Sequence, residues 1–268
     1  MRAHLPTMTK FPVPGRRSLL IGAAAAAGAA LVVGRSEPGI AKPARKAAAE
    51  GPWAVELFTS QGCNSCPPAD AYLGRLSMRP DIVALSFHVD YWDYIGWKDP
   101  FASRETTERQ RAYARVLKQR YVYTPEMVVD GIGHDTGRDP GPIEALLDKA
   151  QRRSVKRATP ELSRASSGPL SIKLAAFDLG NKSADVTLAV YDRRHTTPIN
   201  SGENQGRSLQ NFNIVRHFEL VSRWDGAAAD WTIPAERIGP LQGMAVLVQH
   251  ADHGPVIGCN KLEPAYSG

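Results

Sequence analysis

The stretch FTSQGCNSCPPAD, Phe58 to Asp70, places two cysteines three residues apart between a strand signal and a helix signal. Upstream, Trp53-Ala54-Val55-Glu56-Leu57-Phe58-Thr59 has the aromatic and β-branched character of a short strand, and Ser60-Gln61-Gly62 reads as the turn that ends it. Downstream, Pro67 and Pro68 suit only the first turn of a helix. Ala69 to Leu76 then supply helix formers, with Tyr72, Leu73 and Leu76 on one face. Cys63 and Cys66 are therefore predicted at a helix N-terminus, with one sulfur in the exposed first turn and the other behind it.

The same alternation of strand and helix continues. Ile82 to Val89 is nearly continuous in apolar character, as expected of a strand covered on both faces in a parallel α/β sheet. After the aromatic loop DYWDYIGWKDPF, Ser103 to Arg120 reads as a helix with Tyr113, Val116 and Leu117 on one side and Glu105 and Arg109 spaced i, i+4 on the other. YTPEMVVDG adds a strand after a proline, and Pro142 to Arg152 a last helix. This α/β unit is assigned to 51–155. A basic, proline-punctuated segment, 156–168, reads as a linker. Beyond it, from 169 to 268, Leu170-Ile172-Leu174-Ala176 and Val186-Leu188-Val190 alternate with polar positions, and Phe212 to Val221 and Met244 to Val248 are further strands. That half is predicted to be all-β, a small sandwich packed on the first domain.

The chain begins differently. Arg16-Arg17 directly precede a Ser-Leu-Leu-Ile and alanine-rich apolar run to Val33, with small residues at Gly39 and Ala41. Residues 1–41 read as an export signal whose paired arginines resemble the twin-arginine type, with an ordinary secretory signal as the alternative, followed by a linker over 42–50, so the mature protein is expected to be periplasmic or secreted. Contact with a membrane is expected only through this signal, if it stays uncleaved. The 268-residue chain carries a formal charge of +6, but cleavage after Ala41 would remove five basic residues and one acid and leave about +2. The charge therefore gives no footprint for a nucleic-acid partner. An exported chain can hold disulfides. Of its 3 cysteines, Cys63 and Cys66 form the natural couple, and Cys259, in the strand-like run Pro255 to Cys259, is the spare, buried thiol.

Three chemistries fit the close pair: thiol exchange, a metal site, or an inert disulfide. Closing so short a loop adds little stability by chain entropy, which argues against a mere staple. A metal site needs further ligands, with His88 and His134 the nearest candidates and no second Cys-x-x-Cys in the chain. For exchange, the helix dipole and free N–H groups would favour a thiolate at Cys63, and Cys66 would resolve the mixed disulfide. His88 and Asp90 follow period two at the end of a strand, so His88 is a candidate proton carrier, with Asp90 orienting it, and a satisfied core histidine is the alternative. Trp92 and Trp97 in the aromatic loop are candidates to line a substrate groove.

Strand, Cys-x-x-Cys at a helix start, strand, helix, then Thr124-Pro125 before a strand, is similar to the thioredoxin fold. The motifs ELFTSQGCNSCPPAD, LSFHVDYWDYIGWKDPF, RQRAY, YTPEMVVDG and GENQGRSL resemble those of thioredoxin-like secreted proteins of a bacterial domain-of-unknown-function family, over nearly all of the chain from Trp53 onward. The resemblance implies a thioredoxin-like domain followed by a β-sandwich-like domain, and a cis peptide at Pro125 opposite the cysteines. A cis bond there would expose the Thr124 backbone for antiparallel pairing with an extended client. Gly62 stands where thioredoxins carry tryptophan, and Asn64-Ser65 replace Gly-Pro, so no redox potential carries over. The combined expectation is a thiol–disulfide oxidoreductase acting on protein or small-molecule thiol and disulfide clients, with no organic cofactor. The alternatives are a soft-metal, copper-binding or delivery module, and a non-catalytic scaffold.

Overall fold

In the computed structural model, residues 51–153, 156–165, 168–239 and 243–263 are described. The export signal over 1–41 and the linker over 42–50 lie outside them. The elements are β1 (Trp53–Thr59), α1 (Pro67–Ser77), β2 (Ile82–His88), α2 (Arg104–Val116), β3 (Glu126–Val129), β4 (Gly133–Asp135), α3 (Pro140–Arg152), β5 (Glu161–Arg164), β6 (Leu170–Leu174), β7 (Ala184–Pro198), β8 (Ser208–Trp224), β9 (Ala229–Ile233), β10 (Gly243–His250) and β11 (Val256–Leu262).

One mixed sheet of eight strands, in the order β11-β10-β7-β8-β2-β1-β3-β4, runs through both halves of the sequence, and a second sheet holds β5-β6-β9. β1 and β2 pair in parallel from Trp53↔Ile82 to Thr59↔His88, and β3 runs antiparallel to β1. Both β1 and β2 are buried along their whole length, which explains the unbroken apolar run in the sequence. Alternation sorts their side chains. Trp53, Val55 and Leu57 with Ile82 and Ala84 pack beneath α1 and α3, against Leu73, Leu76, Ile143 and Leu147. Ala54 and Phe58 with Val83, Leu85 and Phe87 pack on the opposite face, with Tyr113 of α2.

The β half is a sandwich in which one layer is shared with the first half. Leu170, Ile172 and Leu174 of β6 and Ile233 of β9 bury against Val186, Leu188 and Val190 of β7 and Met244, Val246 and Val248 of β10. The strands β7, β8, β10 and β11 do not close on themselves but extend the first sheet, where β8 meets β2 through Ser86↔Ile214 and Asn213 Nδ2 donates to the Ala84 carbonyl at 2.8 Å. The physical reason is the edge of β2: a strand buried on both faces cannot leave its hydrogen-bonding edge bare. A strand, β5, also forms inside the segment read as a linker, where Leu162 pairs with Ile172. Among the described residues no helix is long and apolar enough to cross a membrane.

A buried ion pair and its hydrogen bonds fix the junction. Arg109 of α2 reaches across to Glu56 of β1 with Nε to Oε2 at 2.6 Å and Nη2 to Oε1 at 2.9 Å, and Tyr113 Oη donates to the same carboxylate at 2.5 Å. Gln249 of β10 joins them, accepting from Arg109 at 3.2 Å and donating to Tyr113 Oη at 3.0 Å. Two residues of the RQRAY motif thus bind the first half to the second.

Candidate functional site

Cys63 and Cys66 are joined by a disulfide with Cα atoms 5.5 Å apart. Cys66 is the N-cap of α1, ahead of Pro67 and Pro68, and its carbonyl accepts from the Ala69 and Asp70 amides. The sequence expectation of an exposed first sulfur does not hold: Cys63 is 1% exposed and Cys66 0%. Other segments cover the cysteine turn. Ser65 Oγ lies 3.3 Å from Cys63 Sγ. A Cβ on Gly62 would come within 3.2 Å of Trp92 Cβ and 3.3 Å of Ile95 Cδ1, so the missing side chain lets the aromatic loop lie against the turn.

A polar cage, drawn from both halves, holds the turn. Asn204, fully buried in the β7–β8 connection, donates through Nδ2 to the carbonyls of Gln61 at 2.9 Å and Cys63 at 3.1 Å, while its Oδ1 accepts from Arg207 at 2.7 Å. Glu203 accepts from the Asn64 amide at 3.2 Å. The GENQGR motif is therefore a clasp on the cysteine turn. Gln61 is buried too: its Nε2 donates to Thr197 Oγ1 and Asn211 Oδ1, and its Oε1 accepts from Trp97 Nε1 at 3.2 Å. Trp97 thus braces the turn.

Thr124–Pro125 is a cis peptide. Trp92 links it to the cysteine turn, because the tryptophan that packs on Gly62 also donates from Nε1 to Thr124 Oγ1 at 2.7 Å. Gln110 of α2 straddles the cis bond, donating to the Tyr123 carbonyl and to Glu126 Oε2, both at 2.7 Å. Glu126 is fully buried, and burial raises its carboxyl above the ordinary range. Pro125 is thereby fixed from both sides.

His88 does not meet Asp90. Its Nδ1 lies 2.7 Å from Asp99 Oδ2, and both side chains are buried. Asp90 lies past the end of β2 and accepts instead from Thr107 Oγ1 at 2.6 Å. Asp99 is the orienting group, and it also accepts from the Gln61 amide at 2.8 Å, so the histidine is tied to the cysteine turn through one carboxylate. Burial disfavours the imidazolium, but the Asp99 and Asp70 carboxylates outweigh it and hold His88 above its ordinary value. Burial likewise opposes ionisation of Asp99, yet His88 and the donated hydrogen bonds hold it below the usual carboxylate range.

Asp70, one turn after Cys66, is buried, and burial pushes its carboxyl up to about 7 against the pull of His88 and of hydrogen bonds from Thr59 and Asn211. The sequence reading missed Asp70, Asp99, Gln61 and Asn204. Only Asp70 left a local signal, its i+4 spacing from Cys66; the other three meet through tertiary contacts. Cys259 is free and buried, donates from Sγ to the Pro52 carbonyl at 3.2 Å, and burial raises its thiol well above the ordinary value. Among the described residues no three His, Cys, Asp or Glu side chains are grouped to hold a metal ion.

A family model described as protein of unknown function (DUF1223) matches residues 54–249, from β1 to β10. No curated protein matches the chain. Among solved structures, the chain is similar to the X-ray structure of a structural-genomics target protein from Agrobacterium tumefaciens, with 34% identity and a TM-score of 0.71, covering 81% of this chain and 96% of that one.

Proposed function

The chain belongs to this family of proteins of unknown function, and from that premise we propose that it is an exported thiol–disulfide oxidoreductase with a thioredoxin-like first half, working through Cys63 and Cys66. One observation carries the reading: a Cys-x-x-Cys disulfide at the head of α1 is tied, through Trp92, to the cis Thr124–Pro125 bond. In this reading a client thiolate attacks Cys63, the mixed disulfide sits beside the Thr124 backbone, and Cys66 closes or reopens the pair. The clients are protein or small-molecule thiols and disulfides, met in the periplasm or outside the cell after export by the N-terminal signal. Burial of both sulfurs means that the client reaches Cys63 only when the clasp over 202–207 or the Trp92–Ile95 loop moves aside.

The same burial favours a second reading, a non-catalytic scaffold in which the disulfide is structural. Turnover separates the two. The oxidoreductase reading expects catalysed reduction of insulin disulfides with dithiothreitol as electron source, abolished in Cys63→Ser. A rate no higher than dithiothreitol alone would leave the scaffold reading standing.

A further inference from the structure

The end of α3 and the basic segment after it, read from the sequence as a linker, border a small cavity at the end of the sheet away from the cysteines. Arg153, Lys156, Arg157, Asp130 and His250 line it, with Ala150 and Pro255 on its apolar side. Its volume is about 60 Å³, room for a few water-sized groups. Sites for organic ligands begin near roughly 300 Å³, so an occupant must be ion-sized. Asp130 accepts from the Ala54 amide at 2.9 Å, near the start of β1, whereas the cysteine turn follows Thr59, about 16 Å along the strand. The cavity is therefore a separate place from the site described above.

Charge decides which ion it suits. Asp130, the one carboxylate of the lining, is already engaged: Arg157 donates to it from Nη1 at 2.6 Å and from Nη2 at 3.2 Å, and Nη2 also reaches the Pro52 carbonyl at 3.0 Å. The side chains of half-buried Arg153 and exposed Lys156 make no hydrogen bond or ion pair with any described residue. Three cations against one carboxylate leave two positive charges facing a concave space. His250 Nδ1 is buried without a hydrogen-bond partner among the described residues, an arrangement that is costly and rare in a folded protein. Burial and the charges of Lys182 and Arg153 hold this imidazole below its ordinary value, so the ring is neutral near pH 7, and one of its tautomers donates from Nδ1. Compensating the C-terminal dipole of α3 does not account for the cluster. Arg153 is the C-cap, but its side chain donates to none of the last-turn carbonyls, and Lys149 and Arg152 already supply positive charge in that turn.

We propose that this cavity binds a doubly charged tetrahedral oxyanion of the phosphate class. Arg153 and Lys156 supply charge-assisted hydrogen bonds, His250 Nδ1 supplies a neutral one, and Arg157, held by Asp130, adds to the field. The bound ion joins the end of α3, in the first half of the chain, to the β10–β11 connection in the second.

The test is calorimetric titration of the full chain with inorganic phosphate at constant ionic strength. One ion per chain with a Kd of about 1 mM or tighter is expected, and weaker or non-saturating uptake would overturn the proposal. Arg153→Gln, at a side chain without partners, should fold normally and weaken binding by about 10-fold or more, the loss of one hydrogen bond to a charged group. Arg138→Gln, the same charge change at an exposed residue outside the cavity, should leave binding unchanged. Equal losses in the two variants would mean that phosphate answers only to net charge, and would equally overturn the site. The ring resonances of His250 should move along the same binding curve, and a ring unmoved at saturation would contradict the placement of the ion. Methyl phosphate separates the two sources of such a group: binding as tight as that of inorganic phosphate assigns the cavity to the end of a phosphorylated molecule, and weaker binding assigns it to the free ion.

Discussion

Asn204 gives the clearest quantitative handle on the clasp. Replacing it with alanine removes two donated hydrogen bonds and one accepted one at a side chain with no exposure. The three losses differ. Gln61 O would be left buried without this donor, at about 1–3 kcal/mol. Cys63 O keeps its bond from the Cys66 amide at 3.3 Å, so its loss is nearer the net value of about 1 kcal/mol. Arg207 is exposed and recovers its bond from water. Asn204→Ala should therefore cost about 2–4 kcal/mol, read as a lower urea midpoint with an unchanged slope. Asn204→Asp keeps the shape but turns acceptor oxygens toward two carbonyls, so it should cost at least as much, despite a stronger bond to Arg207. Both variants should also speed alkylation of the reduced cysteines, since the clasp then holds the turn less firmly. A loss below about 0.5 kcal/mol in Asn204→Ala, within the range of an ordinary surface change, would mean that this loop does not hold the cysteine turn.

Arg109→Met leaves Glu56 and Tyr113 buried without their cation and should cost about 3–5 kcal/mol, seen in thermal or urea unfolding; a loss under 1 kcal/mol would mean that the network does not bind the halves. Asp70 shifts the pH dependence of stability: its folded value, about 7, lies above the ordinary 3.8, so the stability its neutral form contributes is complete below about 3.8 and declines as pH rises toward 7. The full span corresponds to roughly 4 kcal/mol as an upper bound, and urea midpoints of Asp70→Asn should lose that part of the slope between pH 4 and pH 8, approximate limits set by the same linkage. Cys259, buried, hydrogen-bonded to Pro52 and with its thiol raised well above the ordinary value by burial, should resist alkylation in the native protein; fast labelling of Cys259 would contradict its burial.

The first half was legible because its signals are local. Pro67 and Pro68 mark the helix start, Ile82 to Val89 mark a doubly covered strand, and Ser103 caps α2 through the Thr106 amide. The second half was legible strand by strand but not in its assembly. Nothing in the alternation of Val186 to Val190 tells that β7 and β8 will continue the first sheet, since the deciding contact is Asn213 on the Ala84 carbonyl, distant in sequence. The site shows the same limit. Period two put His88 and Asp90 on one side, but the chain leaves the strand after His88, and Asp99 returns to the histidine while Asp90 turns to Thr107. Likewise the helix start placed the cysteines without showing that a loop from the second half would clasp their turn.

If Cys63 attacks and Cys66 resolves, the two alanine variants must trap clients unequally. Cys66→Ala, expressed with its export signal in its own compartment and quenched with acid, should accumulate client proteins in mixed disulfides at Cys63, because the resolving step is lost. Cys63→Ala should capture far fewer. If neither variant holds a partner, or if both hold equal amounts, Cys63 is not the attacking thiol and the Cys63–Cys66 bond is a structural disulfide.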